Sequence, residues 1–122
     1  MLPSFALSRI LLIRPDISSS VYRDAFLKQC GFLVEIAIPS EVQEIVNSGI
    51  ASYSAVVISG NLAPEDVLEV TGCIRQSSPQ TKIVLIEGPD LPCFDPSFYD
   101  ALVGSWSGPI ALVDAVHRLV AN

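Results

Sequence analysis

His117 is the only histidine, and it stands among apolar residues near the C-terminus with no serine, cysteine or acid in a motif that would make it a general base. A helix position facing solvent or a partner is its expected role. Cys30, Cys73 and Cys93 are odd in number and widely spaced, without a CxxC pair, so neither a disulfide framework nor a metal site is expected. The residues best suited to hold a ligand are Asp16, Ile17, Ser18, Ser19 and Ser20, where hydroxyls and amides at a helix start could cradle a phosphate. Against that, the run has no glycine for close approach, Asp16 repels anions, and serines in such places usually cap helices. No nucleophile with a base, carboxylate pair or metal-ligand cluster is visible, so the chain is not expected to be an enzyme.

What these residues can do depends on the elements that hold them. Apolar runs of strand length alternate with amphipathic stretches of helix length, the pattern of a parallel sheet with crossover helices. The first strand is expected at 8–14, where Ile10, Leu11, Leu12 and Ile13 form an unbroken apolar run, and Pro15 ends it. A helix over 18–30 follows, with Gly31 placed for a left-handed cap. The second strand spans 32–38, and Ser40 with Gln43 reads as a capping box opening a helix that carries Val42, Ile45 and Val46 and stops near Gly49. A third strand at 55–59 turns at Gly60 and Asn61. Pro64 begins the next helix, with Val67, Leu68, Val70 and Ile74 inward. The fourth strand is 82–87. Pro89, Pro92 and Pro96 then limit any fourth helix to a turn or two. A short fifth strand at 100–103 precedes a final helix opened by Gly108 and Pro109, whose stripe gathers Leu112, Val113, Ala115, Val116, Leu119 and Val120.

With 122 residues the chain has room for one domain, 1–122. Half the residues are hydrophobic and only 16% charged, which suits a sheet covered on both faces. Seven basic residues against thirteen acidic ones give a net charge of -6, so a nucleic-acid backbone is repelled. The N-terminus lacks the features of a signal peptide, and no apolar run reaches the roughly 18 residues of a membrane span. A cytoplasmic protein is expected.

The βα units open with ILLIRPD at 10–16, and three stretches carry a likeness to a known family: GFLVEIA at 31–37, SAVVISGNLAPEDVLEVTGCIR at 54–75 and TKIVLIEG at 81–88. In them the chain resembles the response-regulator receiver domain of two-component signalling, along nearly its whole length. The resemblance implies a flavodoxin-like, doubly wound five-stranded parallel sheet of order 2-1-3-4-5, with a short or irregular fourth helix. It also implies where phosphorylation chemistry should sit. The acidic pair that holds Mg²⁺ in the family falls on Arg14 and Pro15, leaving Asp16 as an oxygen donor. The acceptor aspartate falls on Ser59, the hydroxyl-bearing switch residue on Glu87, and the lysine ending the fifth strand on Gly104 or Ser105. A degenerate pseudo-receiver follows, with no metal or cofactor expected. Arg14 and Glu87, taken to end neighbouring strands, are expected to form an ion pair across the site.

Its work is then protein binding. The receiver face built from the fourth helix, fifth strand and fifth helix displays Phe94, Phe98, Tyr99 and Trp106 here, joined by Val113 and His117. The expected partner is a signalling protein such as a kinase or an output domain, with a homodimer as a further option and no direct nucleic-acid or membrane contact. The alternative is a domain that binds a phosphate-containing ligand, such as a flavin or nucleotide, at the carboxyl ends of the strands.

Overall fold

The structure is a computed structural model that describes residues 8–15, 27–59, 62–87, 96–104 and 108–121. Most of the expected first helix lies outside them, as do Asp16 and the serines 18–20, Gly60 and Asn61, the 88–95 segment with Cys93 and Phe94, and Ser105 and Trp106. Five strands, β1 (Arg9–Ile13), β2 (Leu33–Ala37), β3 (Ala55–Ile58), β4 (Lys82–Ile86) and β5 (Ala101–Val103), form one parallel sheet in the order β2-β1-β3-β4-β5. The expected order holds, and each strand is one residue shorter than its expected range at one or both ends.

The unbroken apolar runs of β1, β3 and β4 are buried on both faces because alternate side chains enter two different cores. Leu11, Ile13, Val56, Ile58, Ile83 and Leu85 point to one side; Ile10, Leu12, Val57, Val84 and Ile86 point to the other. The first cluster is closed by helices α1 (Val42–Gly49) and α2 (Pro64–Ser77), the second by α3 (Gly108–Ala121) together with Leu27 and Phe32. Helices on both faces make the sheet doubly wound.

Local rules explain most element boundaries. The helical residues 27–29 end where Gly31 adopts φ 97°: the Phe32 amide donates to the Leu27 carbonyl (3.2 Å) and the Gly31 amide to that of Lys28 (3.1 Å). Those two bonds form a Schellman motif, which satisfies carbonyls a helix end leaves open. In α2, Pro64 sits at the first helical position and Glu65 and Asp66 lie in the first turn, where the helix dipole favours acids.

Two expectations fail for stated reasons. The helix after β2 does not open on a Ser40 and Gln43 capping box. A 3₁₀ turn at Pro39–Glu41 leads into α1, with the Glu41 carboxylate accepting from the Ile38 amide (3.0 Å), while Gln43 Nε2 donates to Asn47 Oδ1 one turn on (3.2 Å). The box is shifted by two residues because Pro39 supplies the first turn. Leu68 is 43% exposed instead of inward; Thr71 takes the buried place beside Val67, Val70 and Ile74. Steps of 100° put positions 67, 70, 71 and 74 on one stripe and 68 outside it. The Thr71 hydroxyl donates to the Val67 carbonyl (2.8 Å), so its burial leaves no polar atom unsatisfied.

Candidate functional site

In a parallel sheet every strand ends at the same edge, so the residues following β1, β3, β4 and β5 line up there: Arg14, Ser59, Glu87 and Gly104. The hydrogen-bond ladder runs one step past the strands and fixes their backbones. Arg14 donates its amide to the Ala37 carbonyl (2.9 Å), Ser59 to that of Ile13 (2.9 Å), and Glu87 to that of Val103 (2.7 Å). Since Ile13 pairs with Ile58, Arg14 and Ser59 stand next to each other in register. Both are buried, at 5% and 6% exposure, whereas Glu87 and Pro15 are exposed. At 6% exposure the Ser59 hydroxyl is closed to a serine kinase unless this edge opens.

The expected ion pair between Arg14 and Glu87 is not formed. The ion pairs between described residues are Arg9 with Glu35 and Arg75 with Asp100. The reason is topological: β3 lies between β1 and β4, so the two residues do not end neighbouring strands, and two inter-strand spacings of about 4.8 Å separate their backbones. Glu87 points into solvent instead.

Beside this edge a cleft of about 430 Å³ opens between the loops after β1, β2 and β3 and the first turns of α2. Pro15, Ile38, Pro39, Leu62 and Val70 line it with apolar surface, and Ser40, Asp66 and Glu69 supply its polar groups. Its position matches the general place for ligands in open α/β sheets, outside the carboxyl ends of the strands where the chain order reverses.

The residues expected to share an interaction face are divided by the structure. Tyr99 packs half-buried against the core under α1 and α2, while Val113 belongs to the opposite core at 8% exposure, with edge strand β5 between them. Val113 is therefore a core residue, because it falls inside the stripe by which α3 covers the sheet. His117 is half-buried, with its ring set edge-on against Phe32 at 5.1 Å and 67°, and is a packing residue more than a free helix position. Phe98 and Tyr99 remain partly accessible beside the 3₁₀ turn Pro96–Phe98.

Two side-chain networks escaped the reading of the sequence. At the amino end of the sheet, Arg9 donates to Glu35 Oε2 (2.8 Å) and Ser52 Oγ (2.9 Å) and lies over the Tyr53 ring at 4.5 Å, while the Tyr53 hydroxyl donates to the same Glu35 oxygen. The Tyr53 bond, and after it Arg9, holds the Glu35 carboxyl below its ordinary value of 4.5 against an opposing effect of burial; burial and then Glu35 push the Tyr53 hydroxyl above 10.0. The second network joins α2 to the start of β4 and β5: Asp100 Oδ2 accepts from Arg75 Nη2 (3.0 Å) and the Ile83 amide (2.7 Å). The only prior signal was the shared parity of Arg9 and Glu35 on facing strands, which becomes usable once the register Leu11 with Glu35 is known.

No family model matches the sequence, and no curated protein does. Solved structures decide the fold. A CheY-like response regulator receiver domain protein from Methanospirillum hungatei superposes with a TM-score of 0.77 at 18% identity, covering 94% of each chain. This is the receiver fold. The response regulator TrrA of Thermotoga maritima, solved with Mg²⁺ and BeF, has the receiver fold at a TM-score of 0.72 and 24% identity, over 92% of this chain and 98% of its own. A structure described as a putative pilus assembly-related protein from Burkholderia pseudomallei reaches 0.74 at 15% identity, over 99% of this chain and 95% of its own. These likenesses concern the fold, the one property that persists at such identities.

Proposed function

We propose that the chain is a pseudo-receiver, a protein-interaction module of a two-component-like signalling pathway whose conformation is not set by aspartyl phosphorylation. One observation carries the reading: in a receiver sheet, a buried Arg14 stands in register beside a buried Ser59. Receiver chemistry needs oxygen ligands for a hard divalent cation and a carboxylate to become an acyl phosphate. A guanidinium at that edge opposes a metal ion by on the order of 4 kcal/mol per unit of cation charge at about 4 Å. A serine hydroxyl, with its high pKa and no base in a motif, does not take up a phosphoryl group from a phosphohistidine. Mg²⁺ therefore does not fit the described residues of this edge.

A fold kept without its chemistry leaves surface recognition as its use. TrrA, at a similar level of likeness, has been solved in complex with the histidine kinase ThkA, so receiver folds do dock on such proteins. The Burkholderia neighbour, described as pilus assembly-related, adds such an assembly as a second setting for the module. Among the described residues no helix is long and apolar enough to cross a membrane. In this reading the chain is one non-enzymatic domain that meets these signalling partners in the cytoplasm. The phosphate-ligand alternative gains nothing from the cleft, whose described charged groups are both acidic.

Incubation with acetyl phosphate and Mg²⁺ tests the proposal. The intact mass is expected to stay constant; a stoichiometric gain of one phosphoryl group overturns the reading.

A further inference from the structure

We propose that the cleft between the loops after β1, β2 and β3 and helix α2 receives a lysine or arginine side chain, with its apolar neighbours, from a protein partner. The assignment deepens the interaction-module reading and rests on it. The cleft has two unlike parts. Leu62 and Val70 are buried at its floor, and Ile38 and the rings of Pro15 and Pro39 make its sides. At its mouth stand Asp66 and Glu69, three residues apart and hence on one face of α2, with the Ser40 hydroxyl also on the lining.

Charge decides what fits. None of the described lining residues is basic, so a phosphate or carboxylate ligand meets two like charges and no donor of opposite sign. A wholly apolar ligand would strip water from the carboxylates and give nothing in return. Among the described residues neither carboxylate accepts a hydrogen bond or joins an ion pair, in contrast to Glu35, Glu41 and Asp100, which are engaged with Arg9, the Ile38 amide and Arg75. A cation on an aliphatic stem satisfies both parts together: the methylenes lie along Ile38 and Leu62 while the head group reaches Asp66 and Glu69.

A protein source is favoured over a free amine by the build of the rim. Two prolines with fixed φ give a rigid ledge that loses little entropy on contact and can carry the residues flanking the basic one. The chain's net charge of -6 steers such a partner in from solution.

The test is a positional-scanning octapeptide array probed with the full chain. Peptides with Lys or Arg flanked by Leu, Ile or Pro are expected to be selected. The D66N/E69Q variant, altered only at an exposed and a half-buried surface position, is expected to lose about fivefold of that signal. D66K/E69K is expected to turn the preference toward acidic peptides. Absence of a basic preference in the wild type, or an undiminished preference in a D66N/E69Q protein whose circular dichroism is native, overturns the proposal. Either failure leaves the acetyl phosphate result standing, so the two readings fail separately.

Discussion

Glu35 and Tyr53 show how a single contact ties stability to pH. The folded Glu35 carboxyl lies below its unfolded value, so its contribution is complete above about pH 4.5 and is lost as pH falls through the lower folded value. Tyr53 runs the other way: its folded value is raised, so its contribution is complete below about pH 10 and is lost as pH rises through that raised value. Glu35 is half exposed, with 51% of its side-chain surface accessible, and water screens the cluster. Tyr53→Phe is thus expected to lower stability at neutral pH by under about 1 kcal/mol and to shrink the loss between about pH 5 and pH 3. Urea titrations across that range check it, and an acid limb identical to wild type would sink the idea. None of this was legible beforehand, because Arg9, Glu35, Ser52 and Tyr53 meet only through strand pairing. The site residues were a mixed case. Arg14, Ser59 and Glu87 were placed at strand ends from apolar runs alone, and they are there. Which of them touch depends on the strand between them, which the expected Arg14 and Glu87 ion pair overlooked.

At the scale of elements, the punctuation of the chain was the most readable part. Gly31 was expected to cap a helix in the left-handed region, and its φ of 97° with the Phe32-to-Leu27 bond realises that geometry. Gly31→Ala forces a Cβ into that region and is expected to cost about 1 kcal/mol in urea denaturation; a loss below a few tenths would mean that the cap relaxes freely. Apolar identity alone misled at Leu68, where helical angle outweighs hydrophobicity, and at Val113, where a stripe wide enough for a partner is used up by the sheet. The start of α1 was misread because a proline turn and a glutamate reaching backwards satisfy the open amides in place of a serine.

The whole molecule is a sheet between two cores that share only its backbone. Ile74, from α2, is buried in one and Ile10, from β1, in the other. Ile74→Val and Ile10→Val are each expected to cost about 1 kcal/mol, and the double variant to match their sum within about 0.5 kcal/mol. A larger deviation in urea midpoints would show the two cores coupled through the sheet. The sequence by itself pointed to the class of fold and the number of strands, because unbroken apolar runs alternating with amphipathic stretches of helix length suit a parallel sheet covered on both faces. It also put an arginine and a serine directly after the first and third strands. Only the tertiary structure decided that Arg14 and Ser59 are buried side by side, and that Asp66 and Glu69 rim a cleft with prolines from two other loops. Those facts arise from contacts between residues far apart along the chain, and periodicity, being a property of one segment, holds no information about which segment lies next to it.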